Sequence, residues 1–255
     1  MTLNIRVIPV LLLKNGGLVK TVGFKDMTYV GDPINAVKIF NDKEVDELLF
    51  IDIQATKENR RPNFELVSRI GREAFMPFGY GGGIRNLDDM SRLFRLGVEK
   101  VSLNSYATEN PDFVEEAAHN FGSQSVVASI DVKKDALGKH WVYDYRNSSA
   151  TKLDPVEFAV LMERKGAGEI LLNSVDRDGT FDGYDIDIIR KVTLSVNVPI
   201  IALGGAGKLE DFRKAVKIGG ASAVAAGSLF VFHGRHRAVL ITYPDKDDLR
   251  KAFSS

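Results

Sequence analysis

Short apolar runs of strand length alternate along the whole chain with stretches in which apolar residues recur at helical spacing. The runs predict strands near 7–13, 47–51, 77–80, 100–103, 125–130, 169–173, 199–203 and 223–226. Between them, 33–41, 63–74, 87–96, 112–120, 155–165, 185–195 and 210–218 read as helices, several opened by Asp or Pro in the first turn. That order is the signature of βα units around a parallel sheet. Eight such units in 255 residues fit one (β/α)8 TIM barrel, so a single α/β domain over 1–255 is expected.

The chain also repeats itself. Gly82-Gly83-Ile84-Arg85-Asn86-Leu87-Asp88-Asp89 is echoed by Gly204-Gly205-Ala206-Gly207-Lys208-Leu209-Glu210-Asp211, an offset of 122. Glu47-Leu48-Leu49-Phe50 and Glu169-Ile170-Leu171-Leu172 keep the same offset, and Val101 to Ser105 answers Val224 to Ser228 one residue later. Two similar half-barrels follow from this. Two insertions interrupt the rhythm: 14–32, a long glycine-bearing loop after the first strand, and 134–153 after the fifth, a hairpin centred on His140-Trp141-Val142-Tyr143. Both leave the strand ends where barrels place their active sites, so both are expected to act as lids.

Composition narrows the chemistry. Lys plus Arg and Asp plus Glu are both 34, which leaves no excess charge for nucleic acid or a membrane surface. Cysteine is absent, so disulfides, thiol nucleophiles and thiolate metal sites are excluded, in keeping with a cytoplasmic protein. Four histidines at 119, 140, 233 and 236 lack metal-ligand spacing, and neither a metal nor a cofactor is expected. The N-terminus lacks the basic and apolar regions of a signal peptide and reads as the first strand of the mature chain, and no apolar run reaches membrane-spanning length.

Each glycine pair follows a strand and opens a helix, where bare backbone N–H groups and a partial positive charge meet a ligand. Gly82 and Gly83 with Asn104 and Ser105 form one expected phosphate cup; Gly204 and Gly205 with Gly227 and Ser228 form the other. A substrate with a phosphate at each end would suit them. Asp131 ends the fifth strand, and Asp176, Asp178 and Gly179 follow the sixth, so Asp131 and Asp178 are candidate general acid or base groups. Aligning the halves sets Leu12 opposite Asp131, which removes one member of an expected acid/base pair. At the opposite strand ends, Arg6, Glu47, Lys100 and Glu169 are expected to form a salt-bridged plug. The basic cluster His233, Arg235, His236 and Arg237 reads as an exposed helix start.

Taken together, Gly31-Asp32-Pro33, Asp46-Glu47-Leu48, Gly81-Gly82-Gly83-Ile84, Asp131, Gly166 to Leu172, Asp176-Arg177-Asp178-Gly179-Thr180 and Gly204 to Gly207 resemble the HisF cyclase subunit of imidazole glycerol phosphate synthase along almost the whole chain. The resemblance implies that Arg6, Glu47, Lys100 and Glu169 form an ammonia gate, with a HisH-type glutaminase docked beneath. It also implies Gly179 in phosphate binding and a phosphorylated ribosyl aminoimidazole carboxamide as substrate. Leu12 stands where the family has its second Asp, Asn173 where Thr is usual, and Leu203 where Ser precedes the glycine pair. These departures, with Leu11-Leu12-Leu13-Lys14 and Ala225 to Arg237, resemble the HisF-like branch of surface-polysaccharide gene clusters, of the WbuZ type. That branch implies ammonia supplied to an ATP-dependent N-acetyl sugar amidotransferase for amidination of a surface sugar. Two alternatives stand beside it: the histidine-pathway cyclase with a compensating residue, and a non-catalytic ammonia conduit.

Overall fold

The computed structural model describes residues 5–234 and 236–254. Among these, eight parallel strands close into a barrel: β1 (Arg6–Lys14), β2 (Leu48–Asp52), β3 (Phe78–Gly81), β4 (Lys100–Leu103), β5 (Val126–Lys134), β6 (Glu169–Ser174), β7 (Ile200–Leu203) and β8 (Ala223–Ala226). Neighbours pair in chain order, and Arg6 opposite Ala223 closes the ring between β1 and β8. Helices between the strands complete a (β/α)8 barrel.

Side-chain alternation along β1 shows how sequence makes two cores. Ile8 and Val10, joined by Leu12, face the barrel axis with Leu49, Leu171 and Ala225, whereas Val7, Leu11 and Leu13 pack outward beneath the helices. The axial core is therefore apolar from just above Arg6 to the level of Leu12.

The duplication extends to the caps. Asp32 accepts from Ile34 and Asn35 N–H ahead of Pro33–Asp42, and Asp154 accepts from Val156 and Glu157 N–H ahead of Pro155–Arg164, both with Pro in the first turn. It extends to the glycine turns as well. A Cβ on Gly82 (φ +110°) would lie 2.3 Å from Asp52 O, and one on Gly204 (φ +95°) 2.6 Å from Ser174 O, at matching places in the two halves.

Three sequence expectations are corrected. The segment after β1 is an antiparallel hairpin, Gly17–Val22 with Lys25–Gly31, continuous with the sheet through Leu12 opposite Val19, because its alternating Leu18, Lys20 and Val22 extend readily into a strand. In the second insertion His140–Asp144 is the returning arm of a hairpin, since Val132 pairs Val142 and the chain turns at Asp135 to Lys139. The basic cluster lies on a tight hairpin, Phe232–His233 with Ala238–Val239, rather than at a helix start, because Gly234 takes a left-handed φ of +70°. Arg235 of that cluster lies outside the described residues.

Candidate active site

Asp131 projects from β5, near its carboxyl end, into a pocket at the top of the barrel that Leu12, Asn104 and Asn173 also line. In the sheet it pairs with Asn173 of β6. Asn173 Nδ2 donates to Asp131 Oδ1 at 2.8 Å, and Asn104 Nδ2, just past β4, donates to Oδ2 at 2.8 Å. Both carboxylate oxygens are thus held by amide donors while Asp131 is only 6% exposed. Burial pushes its carboxyl up to about 6; the hydrogen bonds from Asn173 and Asn104 pull the other way, and the charge of Asp178 adds to the rise. A carboxyl in that range exchanges protons near neutral pH, as a general acid or base requires.

Leu12 lines the same pocket and brings an apolar side chain to it. The hairpin after β1 brings other chemistry instead. Thr21 Oγ1 donates to Asp178 Oδ2 at 2.6 Å and Phe24 N–H to the same oxygen at 3.2 Å, while Gly23 N–H donates to Asp178 O at 2.9 Å. Lys20, only 5% exposed, sets Nζ 3.9 Å from Asp178 Oδ1. Asp178 therefore ties the hairpin to the loop after β6.

The two glycine cups differ in access. Gly82, Gly83, Asn104 and Ser105 line the pocket. The other cup lies under the hairpin: a Cβ on Gly179 would lie 2.3 Å from Thr21 O, and one on Gly227 2.3 Å from Lys20 Nζ. Ser228 Oγ is buried there with no hydrogen-bond partner among the described residues.

At the floor, Arg6 meets Glu47 at 2.6 Å and Glu169 at 2.5 Å, and Lys100 meets Glu169 at 3.1 Å and Glu47 at 3.4 Å. Each acid is shared by both bases in a closed ring of four. Above it lies the apolar axial core.

Some candidates have structural duties. Asp176 accepts from Lys134 N–H at 2.8 Å and anchors the second hairpin. His140 Nε2 of the returning arm lies 2.9 Å and Lys134 Nζ of the outgoing arm 2.8 Å from Asp185, so one carboxylate fastens both arms of that hairpin. Tyr145 of that hairpin lines the pocket and meets Phe24 edge-on at 5.7 Å, so the two insertions touch above Asp131. Sequence reading passed over Lys20, Thr21 and Tyr145. A lysine inside an alternating apolar run, Leu18-Val19-Lys20, was the available signal for the first.

The closed barrel, with one clamped carboxylate among the carboxyl-terminal strand ends, belongs to the class of (β/α)8 proteins whose site is built on that face. The chain belongs to the family described as "Histidine biosynthesis protein", whose model matches residues 6–237. It is 52% identical over 244 residues to the "Putative imidazole glycerol phosphate synthase subunit hisF2" of Pseudomonas aeruginosa, covering 96% of this chain and 97% of that protein. It is 45% identical over 249 residues to the protein of Leptospira interrogans named "Putative imidazole glycerol phosphate synthase subunit HisF", covering 97% and 98%. The "Imidazole glycerol phosphate synthase subunit HisF" of Alkaliphilus metalliredigens is 42% identical over 228 residues, covering 89% and 90%. Among the described residues no helix is long and apolar enough to cross a membrane.

Proposed function

We propose that this chain is the cyclase-type barrel subunit of an imidazole glycerol phosphate synthase-like glutamine amidotransferase. Ammonia released by a HisH-type glutaminase enters through the ring of Arg6, Glu47, Lys100 and Glu169, crosses the apolar barrel core, and meets a phosphorylated acceptor beside Asp131. The observation that carries this reading is the stacking of three layers on one axis: a charged floor, an apolar interior and a buried carboxylate clamped at the top. Neutral ammonia crosses an apolar core at far less cost than ammonium, so the interior selects the nucleophilic form.

In this reading Asp131 exchanges protons with the reacting nitrogen, and Asp178 holds the hairpin that shields the site from water. Gly82, Gly83, Asn104 and Ser105 hold one phosphate, and Gly179, Gly204, Gly205, Gly227 and Ser228 the other once the hairpin lifts. The names of the relatives favour cyclisation in histidine biosynthesis over the sugar amidination expected from sequence.

A second reading is favoured by Leu12. Loss of one member of an acid/base pair commonly lowers rate by about a hundredfold to ten-thousandfold. A barrel so altered suits ammonia supply to an ATP-dependent amidotransferase acting on an acetamido sugar of surface polysaccharide. An assay of the isolated barrel with ammonium salt and the bisphosphorylated carboxamide substrate tests the first reading. Absence of imidazole glycerol phosphate there, with amidination in a mixture containing glutaminase and amidotransferase, would favour the second.

A further inference from the structure

The basic hairpin after β8 has no part in the chemistry proposed above. Its arms are Phe232–His233 and Ala238–Val239, and Arg237 N–H donates to Gly234 O at 3.1 Å to close the turn. The base of the hairpin is tied to the short helix Ser228–Val231: Leu240 N–H donates to Val231 O at 3.0 Å, and Thr242 N–H to Phe230 O at 2.8 Å. That helix opens on Ser228, a residue of the proposed second cup. The hairpin is therefore anchored to one side of that cup.

Arg237 reaches the cup's other side. Its guanidinium lies over the ring of Phe181, 5.0 Å from the centroid. Phe181 stands two residues beyond Gly179 of the same cup, and its backbone packs on the turn after β7, where a Cβ on Gly207 would lie 2.4 Å from Phe181 O. Both partners of this contact hold a left-handed backbone, with φ +51° at Arg237 and +66° at Phe181. Residues other than glycine keep such a conformation only where the surrounding structure imposes it, and ligand clamps are common among those places. Stacking covers one face of the guanidinium and leaves its edge of N–H donors open. Among the described residues no carboxylate pairs with that edge. Asp182, the acid next to Phe181, meets Arg177 through its backbone O, which accepts from Nη1 at 3.3 Å. His236, exposed beside Arg237, adds a ring nitrogen on the same turn.

We propose that Arg237, with His236, is a rim subsite for the second phosphoryl group of a diphosphate ester whose first phosphoryl group sits in the cup of Gly179, Gly204, Gly205, Gly227 and Ser228. The subsite rests on the phosphate cup proposed above and extends it to a class of ligand. A monophosphate fills the cup and leaves the guanidinium edge open. A phosphoanhydride continues outward to that edge, where two parallel N–H donors match two phosphoryl oxygens.

The test compares anions. The full chain is titrated by calorimetry at constant ionic strength with inorganic phosphate, inorganic pyrophosphate and citrate. Pyrophosphate is expected to bind about tenfold or more tighter than phosphate, the effect of one added charge-assisted hydrogen bond. Arg237→Gln, its fold checked by thermal unfolding, should abolish that difference and leave phosphate binding unchanged. Phe181→Leu, which removes the ring beneath the guanidinium, should reduce it severalfold. In crystals soaked with pyrophosphate, one phosphoryl group is expected at Gly204, Gly205, Gly227 and Ser228 and the other within hydrogen-bond distance of Arg237. Equal binding of phosphate and pyrophosphate overturns the proposal, as does an unchanged preference in Arg237→Gln. Citrate binding as tightly as pyrophosphate overturns it too, by showing a general attraction for anions. Phosphate seated in the cup with pyrophosphate bound no tighter sinks the rim subsite alone, whereas neither anion in the cup sinks the cup as well.

Discussion

Asn173 Nδ2 donates to Asp131 Oδ1 at 2.8 Å, across adjacent strands and in direct register, while Asn173 Oδ1 is buried with no hydrogen-bond partner among the described residues. An amide thus fixes the carboxylate with one end and keeps an acceptor in reserve at the other. Asn173 is therefore one of the two amide donors that hold Asp131.

The clamp gives a pH-dependent stability with a definite sign. Asp131 titrates at about 6 in the folded chain, against about 3.9 when unfolded. The folded chain then binds the proton more tightly between those values, so unfolding free energy falls as pH rises through that window. Asp131→Asn should stabilise the barrel above pH 6 by up to about 3 kcal/mol and leave it unchanged below about pH 4. The new amide is accommodated because Asn173 can rotate to present Oδ1. Urea unfolding at pH 4 and pH 7.5 checks this, and equal stabilities at both would contradict a buried, charged Asp131.

The floor ring predicts an asymmetric response to truncation. Arg6→Ala leaves Glu47 and Glu169 facing only Lys100, and with these groups mostly buried the loss should be about 1–3 kcal/mol. Arg6→Lys, which restores one charge without the fork, should recover part of it. Chemical denaturation measures both. With a glutaminase partner bound, Arg6→Ala should also depress glutamine-supported turnover more than ammonium-supported turnover.

The glycine turns are required first by packing. Gly204→Ala puts a Cβ 2.6 Å from Ser174 O at φ +95°, and should cost about 2 kcal/mol or more. Gly16→Ala, at φ +76° with nothing near its Cβ, should cost about 1 kcal/mol. Comparing their thermal unfolding separates steric from conformational strain.

The barrel was legible because its signals are local and repeated: strand-length apolar runs, Asp-Pro caps and glycine pairs recur in both halves. The floor charges were legible for the same reason, since each begins or immediately precedes a strand. Three-dimensional relations were not. Lys20 reaches the site only because the 14–32 segment pairs as a hairpin and Gly227 leaves it room, and neither condition is visible in Leu18-Val19-Lys20-Thr21. The covering of one cup by Thr21 and Lys20 was hidden likewise, because the repeat makes the two cups look equivalent.

That cover predicts unequal anion binding. Phosphate soaked into crystals should occupy the cup of Gly82, Gly83, Asn104 and Ser105 at lower concentration than the cup of Gly204, Gly227 and Ser228. Thr21→Val, which removes the 2.6 Å hydrogen bond to Asp178 at a cost of about 1 kcal/mol, should narrow the difference. Equal occupancy in the unaltered chain would show that the hairpin does not guard the site.

The most direct measurement is imidazole glycerol phosphate formation by the purified barrel from ammonium salt and the bisphosphorylated ribosyl aminoimidazole carboxamide, for the unaltered chain, Asp131→Asn and Leu12→Asp. The account predicts slow, ammonia-dependent turnover that Asp131→Asn abolishes and Leu12→Asp raises at least tenfold. No product from either the unaltered chain or Leu12→Asp, with both folded, would contradict it.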